Sequence, residues 1–406
     1  MKIRSITYFF NPGWPLDESK IQAAGAFLAK AKPAFMVAGY EVQTTRLVTI
    51  PFPLLLGVDK LSETPKLAEA MEAALPAAGA DYAALGPALI EVPESYPVIP
   101  EAIAATQNIF FSGEMASVEK GISLKAVKAC AEVIVRCSTI MPDGVANLRF
   151  AALANVGPGA AFFPAAYHAG DEPAFAIATE AADLAVAAFE NAKTIDEGQK
   201  ELITSLESNA RKLVSIAESL EHRFAVKFSG IDFSLAPFPE ESLSLGTAVE
   251  RMGVPKVGLN GSLAAAAILA GAVDQALFPH AGFSGFMQPI LEDAVLAQRA
   301  GEGVLTIKDM LLYSAVSGTG LDTVPLPGDV TSEQIGALLL DLAALALRLD
   351  KPLTARLMPL PGKNAGDPTG FDFAYFANSR VMSLEAMALK SPFSGEETFW
   401  LTSCHY

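Results

Sequence analysis

Charge, cysteine and histidine are all scarce in this chain. Charged residues make up only 18% of its 406 positions, against a hydrophobic share of 51%. A surface so poor in charge suggests that part of it is covered by other copies, so a homodimer or higher assembly is expected. Basic residues are the scarcer sign: 29 Lys and Arg stand against 45 Asp and Glu, a formal charge of −16. A nucleic-acid partner is not expected, because a phosphate backbone needs a basic stripe, and an anionic membrane surface is disfavoured for the same reason. No apolar run reaches the roughly 20 residues of a membrane-spanning helix. The opening MKIRSITYFF has no secretory cleavage pattern and reads as a first strand, so a cytoplasmic protein is expected.

Cys130, Cys137 and Cys404 form no metal-like cluster and leave an odd count. The first two lie in the apolar segment AVKACAEVIVRCST, where a buried free thiol is the ordinary reading and a catalytic thiol has no neighbouring base to support it. No H-E-x-x-H or close histidine pair occurs, so a dedicated zinc site is disfavoured. No G-x-x-x-x-G-K-[ST] loop occurs and no strand leads into G-x-G-x-x-G, so no nucleotide cofactor is expected.

What is present is a strand, helix, strand rhythm. Residues 3–10, 41–50, 82–86, 109–112 and 147–155 read as strands, with helices over 16–38, 67–78 and 122–138. Pro33 is expected to kink or end the first of these helices. Two helices meet near 193–198, which suggests a boundary between two halves. The rhythm then resumes, with strands at 224–233, 256–259, 321–325 and 353–358 and helices at 240–252, 262–275, 287–300 and 331–347. This alternation predicts an α/β protein whose strands are covered by helices.

Polar residues interrupt the apolar runs mainly at strand ends beside Gly or Pro, where a scaffold passes into functional loops. His280, in FPHAGFSG, sits on a loop and is the leading candidate for general base or metal ligand. Asp232 and Asp322 are flanked by strongly apolar residues, and a buried carboxylate demands a partner. His168 stands beside Asp171 and Glu172; it reads equally as a buried structural histidine and as a site residue. Asn260, Thr319, Arg356, Lys363 and Asp367 are candidate substrate-orienting groups, with Lys363 facing an anionic part. Paired carboxylates at strand ends divide acid and base work or hold a hard cation, which leaves room for Mg²⁺ or Ca²⁺.

In order along the chain, ANLRFAALANVGPGAAFFPAAYHAGDEPAF, SGIDFSLAP, GLNGS, PHAGFSG with PILEDA, SGTGLDTVPLPGD and RLMPLPGKNAGD resemble the domain-of-unknown-function family numbered 711. The resemblance spans nearly the whole chain. It implies a fold related to the glycyl radical enzymes, a ten-stranded α/β barrel of two five-stranded halves with covering helices, here 1–195 and 196–406 with a C-terminal closing segment. It implies no reaction. Radical chemistry is not carried over, because Arg380-Val381 is followed by Met382 and Ser383 where a glycine is needed, and no cysteine lies in a recognisable finger loop.

The expectation is therefore a non-radical acid-base enzyme, a hydrolase or lyase acting on a small polar substrate such as a sugar, hydroxy acid or amino-acid derivative. His280 and Asp232 would be acid and base, with His168 and Asp322 as their partners. The alternative is a non-catalytic small-molecule-binding or regulatory protein using the same pocket.

Overall fold

The computed structural model describes residues 1–404. Its frame is one mixed sheet of 11 strands. The strands are β1 (Lys2–Phe10), β2 (Val42–Thr49), β3 (Tyr82–Ala88), β4 (Ile109–Ser117), β5 (Gly121–Ser123), β6 (Phe150–Ala154), β7 (Ala174–Glu180), β8 (Lys227–Ala236), β9 (Gly320–Pro327), β10 (Leu353–Leu360) and β11 (Thr398–Phe399). The main path runs β8-β7-β1-β2-β3-β4-β6-β10-β9, with β5 on β4 and β11 on β5. Neighbours from β1 through β6 on this path are parallel, as are β7 with β8 and β10 with β9. The two parallel sets meet antiparallel at β1/β7 and β6/β10. Strand direction thus changes between Ala154 and Ala174, ahead of the helix pair near residue 195.

A bent segment, 279–290, bridges the two ends of this path through isolated contacts. Ile231 N donates to the Pro279 carbonyl, and Met287 N donates to that of Ser234 on β8. On its other side Ile290 N donates to the Asp322 carbonyl of β9. A helix expected over 287–300 begins only at Ala294: Pro289 lacks a donor, and Asp293 caps the later start by accepting from Val295 N and Leu296 N.

The strands alternate in burial partners. Ile6, Tyr8 and Phe10 pack outward into the main core with helices such as Glu18–Val37, whereas Phe9, Val48 and Ala84 pack on the inner face. Helix Glu18–Val37 starts at the Asp17 cap and runs through Pro33, which neither ends it nor displaces Phe35 from the core. Residues 155–173 form no strand; their Ala161, Phe162, Phe163 and Ala166 fill the inner face. No helix among the described residues is long and apolar enough to cross a membrane.

Candidate functional site: a buried arginine-carboxylate cluster in an internal cavity

The inner face carries charge at one level. Ile3 and Ile6 both face outward, and the β1/β7 register shifts between Ile3 and Ser5, so Arg4 and Ser5 turn inward together. A second shift lies between Ala355 and Leu357, where Arg356 meets a stretch of β9 containing Asp322 and Thr323. Thr323 takes a φ of +42°, an uncommon conformation for a β-branched residue. Register shifts re-aim side chains in this way, and here both deliver a guanidinium to the same space.

Glu292, at the end of the bridging segment, joins the two arginines. Arg4 Nη2 donates to Glu292 Oε2 and Arg356 Nη2 to Oε1, the latter at 2.6 Å. Arg356 also grips Asp322, Nε to Oδ1 at 2.5 Å and Nη2 to Oδ2 at 3.0 Å. Arg4 reaches Glu180 at 3.4 Å, and Gln43 Nε2 donates to the same carboxylate oxygen. Burial raises the proton affinity of Glu292, but Arg356 and Arg4 outweigh it and hold the carboxyl below its ordinary pKa. For Asp322 the balance is reversed: burial lifts the pKa, and Arg356 only partly offsets it. Burial likewise raises Glu180.

All of these groups except Glu180 line a cavity of about 120 Å³, whose walls include Arg46, Tyr82, Phe110, Phe163 and Met287. Phe373 and Tyr375 of the C-terminal segment stand at its edge, both more than a third exposed, and the Arg4 guanidinium lies 6.0 Å from the Tyr375 ring centroid. Every carboxylate of the cluster is held by an arginine. No group of three or more His, Cys, Asp or Glu among the described residues is placed to hold a metal ion.

Residues 1–377 match the family model described as "Uncharacterised ACR (DUF711)". The chain belongs to this family. Similar proteins include a "UPF0210 protein" of Pyrobaculum arsenaticum, 33% identical over 277 residues, or 66% of this chain and 61% of the relative. Another, from Ruminiclostridium cellulolyticum, is 29% identical over 379 residues, 88% of this chain and 81% of that relative. The chain thus spans about three fifths of the length of the Pyrobaculum protein.

Of the nine residues singled out from sequence, Asp322, Thr319 and Arg356 line the cavity. Thr319 Oγ1 donates to the Phe286 carbonyl at 2.8 Å, tying β9 to the bridging segment. The other six are not among its lining residues. His280 is exposed; its ring stacks on Phe278 at 3.8 Å between centroids and its Nε2 meets the Ala276 carbonyl. Asp232 is fully buried but faces backbone, accepting from Phe283 N, Ser284 N and Ser234 Oγ. It fastens the bridging segment to β8, and burial raises its pKa to about 6.

His168 is buried beside Phe9, with Nε2 lacking a hydrogen-bond partner, and burial lowers its pKa. Asn260 is exposed on the turn before helix Ser262–Gln275. Lys363 donates to the Pro368 carbonyl and Asp367 accepts from Asn364 N, so both close a local turn after β10. Arg4, Arg46, Glu180 and Glu292 were not singled out as site residues. Their signal is a charged side chain inside an otherwise apolar strand or strand end, as in KIRSI, TRLVTI and AIATEA.

Proposed function

We propose that the protein is a non-radical acid-base enzyme, a hydrolase or lyase acting on a small polar substrate, and that its site is the internal cavity. The observation supporting this reading is a buried carboxylate facing that space. Burial raises the proton affinity of Asp322 while Arg356 restrains the rise, which moves the group toward the range where an acid or base works near neutral pH. The volume suits roughly half a dozen non-hydrogen atoms, since a cavity of about 150 Å³ takes benzene, which favours small metabolites over polymers.

The architecture that accompanies this proposal is a ten-stranded barrel of the glycyl-radical-enzyme type, used without a radical. One five-stranded half would be β1, β2, β3, β4 and β6. The other would be β7, β8, segment 279–290, β9 and β10, which moves the boundary from residue 195 to between Ala154 and Ala174; the hydrogen bonds on both sides of that segment support the closure. Self-association in the cytoplasm completes the proposal, supported by the exposed Met387, Phe393 and Trp400 of the C-terminal segment.

A second reading, a non-catalytic binding or regulatory protein, is favoured by one observation: Glu180, Glu292 and Asp322 are all engaged by arginine. The deciding experiment incubates parent protein and Asp322→Asn with sugars, hydroxy acids and amino-acid derivatives, following gain or loss of water by mass spectrometry. Turnover by the parent that Asp322→Asn loses is expected. Binding without conversion would favour the second reading, and no binding at all would reject both.

A further inference from the structure

Arg46 differs from the other two arginines of the cavity. It is 92% buried, with 8% of its surface exposed, yet it forms no ion pair among the described residues. Its Nε donates to Thr44 Oγ1 at 2.9 Å, and its guanidinium lies 4.8 Å from the Phe163 ring centroid. These two contacts fix the position of the guanidinium, and neither terminal nitrogen has a hydrogen-bond partner among the described residues. Burial, Arg4 and Arg356 lower its pKa to about 9, partly offset by Tyr82 and Glu292, so it remains charged at neutral pH. Interiors ordinarily pair a buried cation directly, whereas Glu292 acts on this one only from beyond ion-pair distance.

Taking the cavity as a ligand site, as the proposed function does, we infer that Arg46 is its anion-recognising group and that the ligand is a small organic monocarboxylate. A guanidinium edge with two free nitrogens matches the two oxygens of a carboxylate. Charge limits the ligand to one negative group: Arg4 and Arg356 already face Glu180, Glu292 and Asp322, so a second anionic group would meet repulsion. The body beyond the carboxylate would lie against Phe110, Phe162, Phe163, Phe283 and Met287. That wall suits a compact apolar or aromatic acid better than a phosphorylated sugar.

The test is calorimetric titration of the full chain with acetate, lactate and benzoate, each compared with its primary amide. At least one acid is expected to bind, with its amide at least tenfold weaker, and Arg46→Gln is expected to abolish that preference. Arg46→Lys keeps the charge but loses the fork and should retain only part of it. Equal binding of acid and amide, an unchanged preference in Arg46→Gln, or no binding by any of the three acids would overturn the inference. The acid-amide comparison on the parent protein decides even if a variant fails to fold. Because titration reads binding alone, absence of turnover would count against the enzyme reading and not against this one.

Discussion

Arg356 and Asp322 face each other across a shift in strand register, their two contacts of 2.5 and 3.0 Å forming a two-point grip inside the protein. Such a pair adds little net stability over an apolar pair, but removing one member strands the other. Asp322→Ala and Arg356→Met are each expected to lower unfolding free energy by about 3–5 kcal/mol. Asp322→Leu combined with Arg356→Met should cost less than the sum of the singles. Urea denaturation of the four proteins measures the coupling; additive losses would mean that the pair is not a unit.

Two carboxylates give stability opposite dependence on pH. Glu292 has a folded pKa held below its unfolded value, so its contribution is full above the unfolded pKa and is lost as pH falls through the folded one. Asp232 has a folded pKa raised to about 6, so the stability that it adds is full below the unfolded pKa and is lost as pH rises through 6. That second loss is on the order of 3 kcal/mol. Melts from pH 3 to 8 should therefore fall away at the acidic end more gently in Glu292→Gln than in the parent. Asp232→Asn, though weakened by the loss of one acceptor oxygen, should lack the decline between roughly pH 4 and 6. A parent profile flat across that interval would contradict the assignment to Asp232.

Alternation of apolar strands and helices reads directly from sequence, and helix Ser262–Gln275 falls within its expected bounds because small and apolar residues run unbroken from Leu263 to Val273. Asp322, Thr319 and Arg356 were visible because each interrupts an apolar run beside a turn. Arg4 was not, since its inward position depends on a register shift that strand periodicity cannot announce. Arg46 and Glu180 look like the polar half of an ordinary alternating strand until both faces of the sheet are covered. His280 had the loop setting of a catalytic base, but its neighbours Phe278 and Ala276 give the ring a stacking surface and a carbonyl instead.

Gly282 lies against Asp232 with no room for a side chain. Its φ is +62°, and a methyl group built there would overlap Asp232 Oδ2. Gly282→Ala therefore meets both backbone strain and a clash with a fully buried carboxylate, and a loss of more than about 1 kcal/mol is expected. Gly303 has a comparable φ of +73° but open space around it, so Gly303→Ala isolates the backbone component. Chemical denaturation should rank Gly282→Ala well below Gly303→Ala. Equal losses would show that the Asp232 anchor yields without cost.

Arg46 should behave unlike Arg356 in a stability measurement. Arg356 leaves behind Asp322 and part of the hydrogen bonding of Glu292 when it is removed, whereas Arg46 leaves only the Thr44 hydroxyl and the Phe163 ring without their contact. Deleting a buried charge without an ion-pair partner relieves desolvation and repulsion from Arg4 and Arg356, the three influences that lower its pKa to about 9. Arg46→Met, which keeps much of the side-chain volume, is accordingly expected to hold or raise the melting temperature of the ligand-free protein, while Arg356→Met lowers it by several degrees. Differential scanning calorimetry in dilute buffer free of carboxylate salts is the appropriate measurement. A drop in Arg46→Met as large as that in Arg356→Met would mean that Arg46 supports the fold, and its unused nitrogens would then have to be explained by structural water bridging them to the cavity wall.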